Sequence, residues 1–262
     1  MGLTLAQARS AWVARRLTDA LQQHRLQAVY QPVVHLATRE VFSLEVLCRW
    51  TDEELGPVSP NEFIDVAEAH GLVVALGEFM LGQVLADLPA ILHRWPCARV
   101  AINVSGVELS HPTFASRLIH TVHAVHAHWT QHLELEVTES AFHLDMETIR
   151  TQLAQVRSAG IGVAIDDFGT GQSTLSRLHQ LPFSKIKLDR SFVLGLDDPM
   201  VQALVKAMAQ LAHQFSRQLV VEGVETAAQA ERLHALGCQA MQGYLVSCPL
   251  PLQALLARAD LR

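Results

Sequence analysis

Apolar and polar residues alternate with a period of two in a series of short runs, and most runs are followed by a longer stretch with helical spacing. In Arg99–Ser105, Val100, Ile102 and Val104 share one face while Ala101, Asn103 and Ser105 share the other. Leu133–Glu139 sets Leu133, Leu135 and Val137 against Glu134, Glu136 and Thr138. Ile161–Phe168 sets the β-branched Ile161, Val163 and Ile165 against Gly162, Ala164 and Asp166. Ser184–Asp189 opposes Ile186 and Leu188 to Lys185, Lys187 and Asp189. Leu219–Glu225 puts Glu222 in phase with Val220, and Cys238–Val246 keeps Ala240, Gln242 and Tyr244 together. Between these strands the spacing predicts helices over Pro112–His128, Met146–Ala159, Ser173–His179, Pro199–Phe215 and Ala227–Leu236, with Gly160 and Gly237 as terminators.

The start of the chain is patterned differently. Thr4 to Arg25 reads as a helix with Leu5, Trp12, Leu17 and Leu21 as its stripe, packing over the bottom of the domain. Gln27–Leu36 and Val41–Trp50 are strands too close in sequence for a crossover helix, so they form an antiparallel hairpin, with Pro32 marking an irregular position. Ser59 then caps a helix that opens on Pro60, and Val73–Leu92 is a longer helix interrupted near Pro89. Eight or nine strands alternating with helices predict an α/β fold: a closed (β/α)8 TIM-like barrel with an antiparallel first strand. Residues 1–25 form an N-terminal helical segment and residues 26–262 the barrel domain.

The strand phase carries more than the fold. The aliphatic residues take the helix-facing phase, while the opposite phase carries Glu45, Asn103, Glu136, Asp166, Lys187, Glu222 or Gln242 near the carboxyl end of seven strands. The stretch Ile161–Gly171 ends in adjacent carboxylates, Asp166 and Asp167, followed by Gly169 and Gly171. Its bland reading is an Asp turn; its functional reading is a cation site at a strand end. Converging carboxylates need counter-cations in a confined site, and oxygen donors without His or Cys in phase favour Mg²⁺ or Mn²⁺ over Zn²⁺. Two such ions suit in-line displacement at phosphorus. Lys187 then orients water or stabilises charge, or else forms a structural ion pair with a neighbouring acid. Arg49, in phase with Glu45, suits a phosphate.

Composition narrows the classes. Of 262 residues half are apolar, which supports a large core, and the net charge of −6 argues against binding DNA or RNA backbones. Arg9, Arg15, Arg16 and Asp19 break any leader-like run, and Glu78, Asp87 and His93-Arg94 mark the apolar Leu72–Leu92 region as a core helix rather than a membrane insertion. Cys48, Cys97, Cys238 and Cys248 form no C-x-x-C pair and read as reduced, buried thiols of a cytoplasmic protein. His120 and His123 share a helix face, but no acid or cysteine completes a metal set there.

Together the motifs resemble the EAL-domain phosphodiesterases of bacterial cyclic di-GMP signalling, from Tyr30 to Leu252. The matching pieces are Tyr30-Gln31-Pro32-Val33-Val34, Leu44-Glu45-Val46-Leu47-Cys48-Arg49-Trp50, Pro60-Asn61-Glu62-Phe63-Ile64, Asn103-Val104-Ser105 and Glu136-Val137-Thr138-Glu139. They continue with Asp166-Asp167-Phe168-Gly169-Thr170-Gly171, Lys187-Leu188-Asp189, Glu222-Gly223-Val224-Glu225 and Gln242-Gly243-Tyr244, with Pro249 beyond. The resemblance implies Mg²⁺- or Mn²⁺-dependent hydrolysis of cyclic di-GMP to linear pGpG, with two ions per site, and a homodimer. It implies Glu45, Asn103, Glu136, Asp166, Asp167 and Glu222 as metal ligands, and Lys187, Glu222 and Glu45 as catalytic groups, with Lys187 and Glu222 competing for the role of general base. Gln31, Leu47, Arg49, Asp189 and Gln242 would meet substrate, and Glu139 would tether the Phe168–Ser173 loop. The signature triplet is Glu-Val-Leu rather than Glu-Ala-Leu, and Gln172-Ser173-Thr174 replaces an aromatic-Ser-Ser. The alternatives are a catalytically silent cyclic di-GMP receptor acting through a protein partner, and a barrel aldolase or enolase-like enzyme using Lys187.

Overall fold

The computed structural model describes residues 4–143, 145–169 and 181–261. Nine strands form one sheet: β1 (Leu26–His35), β2 (Val41–Asp52), β3 (Gly56–Val58), β4 (Arg99–Val104), β5 (Leu133–Thr138), β6 (Gly162–Phe168), β7 (Lys185–Leu188), β8 (Gln218–Val221) and β9 (Ala240–Gln242). Their order is β1-β9-β8-β7-β6-β5-β4-β2-β3, and β1 also pairs with β2, so eight strands close into a barrel and β3 hangs on the end of β2. Neighbours from β2 through β4 to β9 run parallel, whereas β1 is antiparallel to both β2 and β9. The short connection between β1 and β2 leaves no room for a crossover, which fixes this polarity.

Around the barrel lie α1 (Leu5–Gln22), α2 (Pro60–Ala69), α3 (Val73–Arg94), α4 (Gly106–Leu109), α5 (Phe114–Val125), α6 (Met146–Ser158), α7 (Arg190–Leu194), α8 (Pro199–Gln214), α9 (Ala227–Ala235) and α10 (Leu252–Leu256). The main core lies between strands and helices and takes in Val100, Ile102, Leu133, Leu135, Ile161, Val163, Ile186 and Leu219. A separate small cluster of Val33, Val220 and Ala240, with Phe42 against it, fills the barrel interior. The two clusters are the two phases of the same strands, as the alternation demands.

Several expectations are revised. Helix α1 does not cover the bottom of the barrel: it packs on α2 and α3, and Arg16 grips Asp52, the last residue of β2 (2.9 Å). Its buried stripe is Val13, Ala14, Leu17 and Ala20, while Leu5 is exposed. Helix α3 runs unbroken through Pro89. Leu85, Leu88 and Ile91 are buried on either side of it, and that burial offsets one lost backbone hydrogen bond. This helix is long and apolar enough to cross a bilayer by length and composition, and here it packs against β4 and α1. Ser59 makes no capping bond, although Pro60 does open α2. All four cysteines are free, but only Cys238 is buried; Cys97 and Cys248 are exposed. The last strand is three residues rather than nine, and the Ser173–His179 helix lies outside the described residues.

The short β9 ends at Gly243, whose φ is +154°. A Cβ there would collide with the backbone carbonyl and amide of Val224. Gly243→Ala is therefore expected to destabilise the fold by roughly 1–3 kcal/mol, read from urea denaturation; an unchanged midpoint would contradict the packing described.

Candidate active site and metal centre

The inward phase of six parallel strands delivers a polar group to the carboxyl end of the barrel. Glu45 comes from β2, Asn103 from β4, Glu136 from β5, Asp166 from β6 and Lys187 from β7; Glu222 directly follows β8. Their cross-strand registry is tight: Asn103 pairs with Glu136, and Thr138 with Asp166. At the centre is the Lys187 ammonium, 1% exposed. It lies 3.2 Å from Glu45, 2.9 Å from Glu136, 3.1 Å from Asp166 and 2.6 Å from Glu222.

Two oxygen triads emerge from this arrangement. Glu45, Glu136 and Asp166 each offer an oxygen within 4.8 Å of the others, and so do Asp166, Asp167 and Glu222. Asp166 belongs to both. The Asn103 amide donates to Glu45 Oε1 (3.0 Å), which brings its side chain against the first triad. Asp167 adopts a positive φ of 52°, the left-handed turn that lets consecutive aspartates serve one site from a single strand end.

Gln242 donates to Glu45 Oε2 (2.7 Å) and to Gln31 Oε1 (2.9 Å), while Gln31 donates to the Ser247 carbonyl (3.0 Å). Both glutamines are buried, so in this state their amides brace Glu45. Leu47 and Arg49 line a cleft of about 570 Å³ that adjoins the acids and reaches Ile64, Leu76 and Met80. Asp189 is the N-cap of α7, accepting from the Ser191 amide (2.9 Å). Glu139 is buried, and its Oε2 accepts from the Gly169 amide (3.2 Å); the rest of that loop is outside the described residues.

The EAL-domain model matches residues 14–249. The chain belongs to the EAL-domain family. Among curated relatives, the cyclic di-GMP phosphodiesterase NbdA of Pseudomonas aeruginosa is 37% identical over 245 residues, which take in 91% of this chain and 31% of that protein. The bifunctional diguanylate cyclase/cyclic di-GMP phosphodiesterase MucR of the same organism is 35% identical, over 92% of this chain and 35% of that protein. The chain thus spans about a third of the length of these relatives. The solved MucR phosphodiesterase in complex with c-di-GMP aligns with a TM-score of 0.87 at 34% identity, covering 93% of this chain and 99% of that one. The EAL enzyme Bd1971, with cAMP and cyclic di-GMP bound, aligns with a TM-score of 0.90 at 34% identity, covering 97% of this chain and 69% of that one. The closed barrel with one antiparallel strand is the architecture of these EAL structures.

The electrostatics of this EAL domain follow from four carboxylates, three buried and Glu222 half-buried, sharing one ammonium. Burial opposes the charge on Lys187, but Glu136, Glu222, Glu45 and Asp166 outweigh it and hold the ammonium protonated well above its ordinary range. Burial also opposes ionisation of Glu45, yet Lys187 and the hydrogen bonds from Gln242 and Asn103 prevail and keep it below the usual range. Glu136 is pushed well up by burial, reinforced by the other acids against Lys187. Glu222 is pushed up to about 8 by burial, against Lys187 and with Asp166 and Glu45. Asp167 rises through burial and its neighbours Asp166 and Asp189. With no divalent cation, the cluster therefore balances its charge with retained protons.

The donor set fits a hard divalent cation. It is all oxygen, and Glu136 Oε2 and Asp166 Oδ1 accept no hydrogen bond among the described residues although both lie at ion-pair distance from Lys187. Sequence phase missed a second buried pair one layer deeper. Lys185 and Glu134, two residues before Lys187 and Glu136, form a buried ion pair, with Lys185 also 5.4 Å from the Phe42 ring. Shared phase was the available signal. Glu108 was also missed: it is buried beside the cleft, accepts from the backbone amide of the N-cap Ser105 (3.2 Å), and is pushed up to about 7 by burial.

Two outcomes follow. A divalent cation must displace protons from Glu136 and Glu222, so Mg²⁺ or Mn²⁺ affinity should rise between about pH 6 and pH 8, with proton release detected by calorimetry in buffers of different ionisation enthalpy. Affinity independent of pH would sink this account. Lys187→Met should destabilise the metal-free protein at pH 8 by roughly 3 kcal/mol, and by less at pH 5, where the carboxylates take up protons. Thermal unfolding at the two pH values, with and without Mg²⁺, measures the difference.

Proposed function

We propose that this domain hydrolyses one phosphodiester of cyclic di-GMP to linear pGpG, using two Mg²⁺ or Mn²⁺ ions. The observation that carries the reading is the pair of oxygen triads sharing Asp166 around Lys187. Glu45, Asn103, Glu136 and Asp166 would hold one ion, and Asp166, Asp167 and Glu222 the other. When bound, the ions supply charge neutralisation for the phosphate and Lewis acidity for the attacking water.

The protein's own groups do the rest. Arg49 and Leu47 at the cleft, with Gln31, Gln242 and Asp189, bind the dinucleotide. Water attacks phosphorus, the bond from phosphorus to O3′ breaks, and the water proton passes to the protein and on to the leaving oxygen. Lys187 is held as an ammonium by four carboxylates, which suits it to orienting water and stabilising charge rather than accepting a proton. That leaves Glu222, 2.6 Å from the Lys187 ammonium and part of the second triad, as the base. Glu139 fixes the start of the loop after β6. A homodimer and a cytoplasmic setting belong to the same reading: Leu194 on α7 and Met200 and Leu204 on α8 are exposed apolar residues, and the cysteines are free.

The test is incubation with cyclic di-GMP and Mg²⁺ or Mn²⁺, nucleotides resolved by ion exchange, alongside Glu45→Ala. The expected result is pGpG from the wild type and a loss of at least about 100-fold in the variant. Tight binding of cyclic di-GMP without cleavage would instead make the domain a receptor acting through a partner.

A further inference from the structure

An open groove of about 950 Å³ runs between α5 and α6 on the outer surface and shares no residue with the cleft at the barrel mouth. The helices are pinned together at one end by Gln152, which accepts from the Ala115 amide (2.8 Å) and donates to the Pro112 carbonyl (2.9 Å). Beyond that pin, short residues such as Ala154 and Ser158 leave a channel. His120 and His123 enter from α5 and Arg150 from α6, while Ile119 and Pro182 supply apolar surface.

The charge of this channel is the reverse of the chain's. The protein carries −6, yet no carboxylate lines the groove among the described residues. Arg117, the other cation of α5, turns to Glu78 of α3 (3.7 Å). On α6, Glu147 is exposed one turn before Arg150, and Arg157 adjoins Ser158 at the far end. Arg157 is half-buried, and its ordinary pKa is depressed by burial and by the nearby guanidinium groups of Arg99 and Arg217. The acid opposing them is Glu134, which already takes the Lys185 ammonium. Arg157 does not line the groove, whose own guanidinium is that of Arg150.

We propose that the groove binds a small organic phosphate, the phosphate held by Arg150 with His120 and His123 and the organic part resting on Ile119, Ala154 and Pro182. A guanidinium and two imidazoles give the forked and single donors that a phosphate accepts, and the volume suits a mononucleotide. The site is independent of the phosphodiesterase reading.

The experiment uses adenosine monophosphate as probe, with adenosine as its uncharged counterpart, on the whole chain in EDTA, so that no divalent cation draws the phosphate to the barrel mouth. Binding is followed by NMR titration. The expected result is saturable binding of the monophosphate and none of adenosine, weakened at least about tenfold in Arg150→Glu and in His120→Ala/His123→Ala. All three side chains are on exposed residues, so unchanged circular dichroism and unchanged phosphodiesterase activity should accompany the loss. Absence of binding, equal binding of adenosine, or full affinity in both variants would overturn the proposal.

Discussion

Everything at the mouth of this barrel depends on one buried ammonium facing four carboxylates. Lys187 cannot neutralise Glu45, Glu136, Asp166 and Glu222 together, and the closed strands leave little water to do so. The site must take up protons or divalent cations. A scaffold selected for stability alone would have no use for such an excess, because a buried acid without a partner destabilises. The excess is therefore a binding property, and it ties the fold's geometry to metal chemistry.

Much of this was legible in the sequence because strand phase has one meaning in a closed barrel. Once Val100, Ile102 and Val104 are assigned to the helix side, Asn103 must face inward, and the same logic places Glu136, Asp166 and Lys187. Phase gives direction but neither depth nor partner. It could not separate Lys185 from Lys187, or show that Gln242 braces Glu45 through a chain running back to Ser247. Pairings across more than 190 residues of sequence are set by barrel closure, which no local pattern records.

The misreadings share a cause. Local propensity makes Pro89 a helix breaker and Ser59 a cap, but the buried face of α3 and the proline at the start of α2 decide those elements. The position of α1 is likewise tertiary. An amphipathic stripe shows that a helix packs, and only the Arg16–Asp52 grip and the contacts with α2 and α3 show where.

The two ionic layers inside the barrel separate structure from function. Lys185 and Glu134 set one acid against one ammonium and are sealed from solvent. The layer above sets four carboxylates on one lysine, leaves Glu136 and Asp166 oxygens without hydrogen bonds, and opens onto a cleft. Both layers are buried and both contain a lysine, so burial does not distinguish them. Stoichiometry does: a paired acid and ammonium are complete as folded, whereas the upper cluster carries an excess of acid that protons or a bound cation must balance.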